Sequence, residues 1–267
     1  MTTIPLDGTL LGTLFGVFLA TAAAGSTPPP QHAAFDALLR QNVDQGLVDY
    51  DAFASSEEFG RYLEQLAAAQ LDGLSEADRL AFWINAYNAY TIQLINSHEE
   101  RESVRNINKT LGFLQLKGPW SEKIVRAAGR TLTLDEVEHE VIRKQFDEPR
   151  IHFALVCAAL GCPPLRSEAY TGTRLEEQLE DQARTFLRDS PAKNSVDVAE
   201  GTVWVSPILV WYKGDFGGSD EDLGRFLGRY WPDGPEKALL DSGRFRLRET
   251  EYDWTLNSAR GDRSRSE

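Results

Sequence analysis

The sequence predicts an α+β protein, mostly helical, folded as a single domain with a small antiparallel sheet. Three observations carry that expectation. Apolar residues recur at helical spacing in several separate segments, and two turn-forming stretches are flanked by short β-type runs. With 267 residues, 42% hydrophobic and six Trp, the chain can bury one large core. We find no internal repeat.

The N-terminus stands apart from the rest. Leu10 to Ala24 is apolar and small, Ala22-Ala-Ala24 offers a small-residue cleavage site, and Ser26 to Pro30 has linker composition. Residues 1–24 are expected to form a signal peptide and 25–31 a linker, which implies export to the periplasm or beyond. Asp7 and the lack of Lys or Arg are unusual for the start of such a segment. The apolar run is too short for an ordinary membrane span, and no span is expected in the mature chain. A formal net charge of −13 and a pI of about 4.9 argue against nucleic acid or an anionic membrane surface as partner.

A globular domain is expected over 32–257, followed by a disordered tail at 258–267. Phe35, Leu38, Leu39 and Val43 open it at helical spacing, and Phe59, Tyr62, Leu63 and Leu66 mark a second amphipathic helix. Ser75-Glu-Ala-Asp78 fits a helix cap and starts a third. From Leu80 to Ile95 that helix is apolar on nearly every side, which places it at the centre of the protein. Asn85 and Asn88 lie one turn apart on it. Buried amides need partners, so they either satisfy nearby backbone or line a substrate site.

Ala128-Gly-Arg130 predicts a hairpin, and Leu134 to Arg143 a short helix with acids in its first turn. Ile151 to Leu160 is a short apolar run without alternation, expected to be buried on both faces. Read as a strand, it would project Arg150 and His152 to the same side. Gly161 permits a sharp turn, and Pro163 and Pro164 oppose continuation into a helix interior. Further on come a helix over 173–189, a second hairpin over 196–206 and a Gly-rich aromatic loop from Trp211 to Gly218. A helix over 220–230, an edge strand at 245–248 and a closing segment at 252–257 complete the chain.

Phe82-Trp-Ile-Asn-Ala-Tyr-Asn-Ala89, Leu134-Asp-Glu-Val-Glu-His139, Arg150-Ile-His-Phe-Ala-Leu-Val-Cys157, Gly161-Cys-Pro163, Trp211-Tyr-Lys-Gly-Asp-Phe216 and Tyr252-Asp-Trp-Thr-Leu-Asn257 together resemble the domain-of-unknown-function family numbered 547. The likeness runs from about Val48 to Asn257. It implies a bacterial, commonly exported protein and supplies no settled activity. Gly161 stands where many members carry Ser.

A thiolate nucleophile needs a base within reach and a third group to orient that base. Cys162 is the candidate nucleophile, His152 or His139 the base, and Glu138 or an Asn the orienter. The order Glu, His, His, Cys suits a circularly permuted papain-like arrangement, a fold-level analogy. Cys162 is expected to face a cleft with Cys157 buried and the two unbridged; the alternative is a disulfide in an oxidising compartment. Arg150 is a candidate for binding a carboxylate, or else a salt-bridge partner of Glu138 or Asp135. Neither zinc-knuckle nor two-His helix spacing occurs, so no metal is called for, and no cofactor.

Two function classes follow. One is a cysteine-dependent hydrolase or acyltransferase acting on an amide or thioester. The other is a non-catalytic exported module whose Trp211 and Tyr212 grip a peptide or glycan. The partner is an unknown small molecule or peptide, and oligomeric state is left open.

Overall fold

The computed structural model describes Met1, residues 31–107 and residues 118–259. The signal-peptide expectation lies outside these residues apart from Met1, as do nearly all of the linker and tail. The fold class is the one the sequence predicts. Helix α1 (Ala33–Asn42) leads into the hairpin of β1 (Val43–Asp44) and β2 (Leu47–Val48), then α2 (Tyr50–Ala54), α3 (Glu57–Ala68) and α4 (Glu76–Ser97). Two of these helices begin where a serine can accept a backbone donor: Ser56 caps α3 from Phe59 N, and Ser75 caps α4 from Asp78 N, each at 3.1 Å. Asp78 does not reach back to the Ser75 backbone as in a full capping box; its carboxylate accepts the Ser75 hydroxyl at 2.6 Å.

Helix α4 is the central element. Trp83 and Tyr87 are each only 3% exposed, and every residue from Leu80 to Ile92 is buried. A helix apolar on all sides needs neighbours on all sides, and α2, α3, the strand β3 (Val125–Ala127) and the helix that follows its hairpin all pack against α4. That hairpin pairs β3 with β4 (Arg130–Leu132) across Ala128 and Gly129, both at positive φ. The following helix is π-helical over Glu136–Ile142 and continues as α5 (Arg143–Gln145).

The remaining sheet is mixed. β5 (Ser195–Asp197) and β6 (Thr202–Val205) pair antiparallel as expected, but the edge strand β7 (Arg246–Glu249) lies parallel to β6. Parallel neighbours need a long crossover, and α8 (Pro207–Trp211), α9 (Asp220–Gly228) and α10 (Pro235–Ser242) supply it. With α7 (Leu175–Leu187), these elements enclose a second apolar cluster around Phe153, Phe186 and Phe226.

The apolar run after Arg150 is not a strand. It opens with a four-residue helix, α6 (Ile151–Ala154), followed by irregular backbone. Asn88 explains the break: its Nδ2 donates to Ala154 O at 2.9 Å and its Oδ1 accepts from Val156 N at 3.0 Å, so a side chain replaces the pairing that a continued element would provide. Ile151 and Ala154 enter the first cluster while Phe153 enters the second. His152 is therefore held at the seam between the two halves of the core.

Candidate functional site

One cavity, of about 230 Å³, gathers the chemistry. Glu138, His139, His152, Cys157 and Cys162 line it, and six aromatic side chains wall it: Tyr87, Trp120, Trp211, Tyr212, Tyr252 and Trp254. Three irregular features build it. The π-helical turn carries Glu138 and His139, and such turns are frequent at functional sites. α6 delivers His152. The loop from Val156 to Cys162 brings the two cysteines together.

The cysteines are bridged, which corrects the expectation of a free thiol at Cys162. Their exposures are also reversed: Cys162 is 3% exposed and Cys157 is half-buried. The physical reason lies between them. Ala158 adopts φ 61°, a left-handed conformation few non-glycine residues take. The chain thereby folds back until the Cα atoms stand 6.1 Å apart, inside the range a disulfide spans. The chain has only these two cysteines, so the bridged protein offers no thiolate. Cys162 does not begin a helix; it lies in a bend followed by Pro163 and Pro164.

The segment after β7 closes over this loop. Leu160 N donates to Thr255 O, Gly161 N to Asp253 O, and Asn257 N to Ala158 O, at 2.8 to 3.0 Å. This pairing lays Tyr252 on the bridge, with its hydroxyl 3.0 Å from Cys157 Sγ and 3.2 Å from Cys162 Sγ. A bridged sulfur has no hydrogen, so the phenol is the donor.

His152 donates from Nε2 to Asp215 Oδ2 at 2.6 Å, while its Nδ1 stands 3.9 Å from Glu138 Oε1. The Tyr212 ring stacks on the imidazole at 3.9 Å between centroids. Burial lowers the His152 pKa to about 4 even with Asp215 beside it, so the ring is neutral near pH 7. Two hydrogen bonds from the Arg143 guanidinium, both 2.7 Å, hold the Asp215 carboxyl down at about 2. Arg143 also donates to His139 Nδ1 at 3.0 Å, which leaves the His139 proton on Nε2. Burial pushes the Glu138 carboxyl up, against the hydrogen bond from Tyr212.

Asp215 is thus the orienting partner of His152. Asp215 lies inside the Trp211–Phe216 motif, and a carboxylate within an aromatic loop is the sequence signal that marks it. Asn85 and Asn88 do not line the cavity: Asn85 pairs in both directions with the backbone of Tyr170, and Asn88 holds the α6 backbone. Arg150 is not at the cavity either. Its guanidinium binds Glu148 and Glu176 rather than Glu138 or Asp135. Trp211 and Tyr212 do line it, and Trp211 is 52% exposed. Among the described residues, no group of three His, Cys, Asp or Glu side chains is placed to hold a metal ion, and no helix is long and apolar enough to cross a membrane.

Fold and site together define an α+β domain with an aromatic cleft whose wall includes a disulfide. Residues 71–187 match the family described as "Protein of unknown function, DUF547". No curated protein and no solved structure was found to match the chain. The matched residues hold Glu138, His139, His152 and both cysteines, whereas Trp211, Asp215 and Tyr252 are supplied from beyond them.

Proposed function

We propose that this chain is an exported peptide-binding module whose aromatic cleft receives one apolar or aromatic side chain of its ligand. The observation that carries the reading is the cleft itself: mostly apolar walls, six of their side chains aromatic, with Asp135, Glu138, His139 and His152 among the lining. At about 230 Å³ it is below the usual range for a whole drug-sized ligand, and it suits a single side chain. Trp211, packed against Tyr252 and Trp254 with ring centroids 5.0 and 6.1 Å away, offers a rigid rim. Export is supported by the apolar stretch from Leu10 to Ala24 and by the bridge, since disulfides persist in oxidising compartments.

A second reading, the cysteine-dependent hydrolase or acyltransferase, has one observation in its favour: Cys162 shares the cavity with His139, His152 and Glu138. It applies to the reduced protein alone. The test is titration of the oxidised protein with a peptide panel, followed by Trp fluorescence and calorimetry. Peptides bearing Phe, Trp or Leu should bind, and Trp211→Ala should weaken them about tenfold. Binding of oligosaccharides but of no peptide would overturn the reading. Labelling of Cys162 in the unreduced protein by an acylating thiol probe would restore the hydrolase.

A further inference from the structure

We propose that the Cys157–Cys162 bridge is a thiol–disulfide exchange centre that oxidises paired thiols. The choice of a cysteine-bearing peptide as substrate rests on the peptide reading above; the chemistry of the bridge does not. Structural disulfides resist reduction, whereas exposed ones are the labile ones. This one is partly exposed. It lines the cleft, with Cys157 half-buried and Cys162 buried. An incoming thiolate therefore meets Cys157, and Cys162 is the sulfur that must leave.

The leaving sulfur is prepared for charge. Cys157 N–H donates to Cys162 Sγ at 3.0 Å, and the Tyr252 hydroxyl lies 3.2 Å from the same atom. Hydrogen bonds to a developing anion are stronger than those to a neutral acceptor, so both donors favour the product of bond cleavage. Burial raises the Tyr252 pKa, which keeps the phenol protonated and able to donate. The Lys193 ammonium, 2.5 Å from the Cys162 carbonyl oxygen, fixes that residue's backbone. The left-handed Ala158 in the loop is the kind of backbone outlier that gathers at functional sites.

The steps balance. A substrate thiolate attacks Cys157 Sγ; a mixed disulfide forms as the Cys157–Cys162 bond breaks, and Cys162 leaves with the electron pair. The substrate's second thiolate then attacks its own sulfur in the mixed disulfide, closing a substrate disulfide and releasing Cys157 as thiolate. Two electrons pass from the substrate dithiol to the bridge, and the two thiol protons end on Cys157 and Cys162 or in solvent. A disulfide-bearing oxidant restores the bridge by the same steps in reverse.

The experiment uses the full oxidised chain with dithiothreitol, and with a reduced peptide carrying two cysteines and one Phe. The expected results are oxidation of both probes, turnover when glutathione disulfide is added, and a rate about tenfold lower in Tyr252→Phe. Cys162→Ser treated with glutathione disulfide should accumulate a glutathione mixed disulfide on Cys157, with glutathione thiolate as the leaving group, read by mass spectrometry. A Tyr252→Phe rate equal to wild type, or failure of Cys162→Ser to form that adduct with glutathione disulfide, overturns the exchange centre. Binding of the same peptide with Ser for both Cys separates the two proposals. If it binds but the cysteine form is not oxidised, exchange fails and the peptide reading stands. If dithiothreitol is oxidised in a Tyr252-dependent way but no peptide binds, the exchange centre stands and the peptide reading falls.

Discussion

His152 and Asp215, 63 positions apart in sequence, share a 2.6 Å hydrogen bond that joins the two halves of the core. The bond fixes the imidazole as its Nε2–H form and turns the bare Nδ1 toward Glu138. It also extends outward, because Asp215 holds Arg143 and Arg143 donates to His139. The four groups behave as one network in which an ionised carboxylate is kept charged by a guanidinium and a neutral imidazole is kept uncharged by burial.

Replacing Asp215 with Asn removes the charge from this network while keeping its shape. Arg143 loses a bidentate carboxylate and His152 a charged acceptor. Because both members of the Arg143–Asp215 pair are about one-third exposed, the loss falls short of a fully buried pair, and about 2 kcal/mol of stability is expected to disappear in urea denaturation. An unchanged midpoint would mean that solvent replaces the pair without loss.

Stability should fall as pH drops from 6.5 toward 4. His152 and His32 each titrate at about 4 in the folded chain against 6.5 for a free imidazole, lowered chiefly by burial. Between those values the unfolded chain binds more protons, so acid favours unfolding. Below pH 4 the loss continues through Asp215 and Glu168: Arg143 holds the first, and Arg166 and Arg174, overcoming burial, the second, each at about 2. Glu138 acts in the opposite sense, since its raised pKa makes protonation favour the fold. Urea midpoints at pH 7, 5.5 and 4.5 measure the slope. His32→Gln should flatten the stretch between 6.5 and 4; an equal slope in that variant would exclude the buried His32 as a contributor.

Periodicity made most of the helices legible, because α1, α3, α4, α7 and α9 each bury a stripe or a whole surface. α10 escaped because it buries only Leu240, and β1–β2 because two-residue strands have no alternation to read. At the site, Glu138, His139, His152 and Cys162, singled out by residue scarcity, all line one cavity. What failed depended on backbone geometry. A left-handed alanine set the cysteine separation, and a four-residue helix in place of a strand turned Arg150 away. Neither leaves a mark on hydrophobic pattern. The amides Asn85 and Asn88 were legible as buried, but not as clamps on distant backbone.

The Asn88 clamp should be among the largest single contributors to the site's rigidity. Asn88→Ala leaves the Ala154 carbonyl and the Val156 amide without the partner they have now, in a position 3% exposed. About 2–4 kcal/mol of destabilisation is expected, with faster amide exchange at Val156 than elsewhere in the core. Asn88→Asp keeps an acceptor but loses the donor and adds a buried charge, so it should be no better. Retention of wild-type exchange at Val156 in Asn88→Ala would show that another group takes over.

Gly161 sets the distance between the bridge loop and the segment that carries Tyr252. A Cβ there would lie 2.9 Å from Asp253 N, 3.0 Å from Asp253 O and 3.0 Å from the Tyr252 ring. Two of those three neighbours are backbone, which cannot swing aside as a flexible side chain can. Gly161→Ser must push the closing segment outward or bend the loop. Either movement lengthens the Gly161 N to Asp253 O bond, now 2.8 Å, and lifts the Tyr252 hydroxyl from the sulfurs. Overpacking of this kind removes about 1–3 kcal/mol, so a lower thermal midpoint is expected. Reduction of the bridge by dithiothreitol should slow together with it, since the hydroxyl no longer reaches the leaving sulfur. A variant with full stability and an unchanged reduction rate would place Tyr252 by its aromatic neighbours Trp211 and Trp254 instead of by the close approach at Gly161.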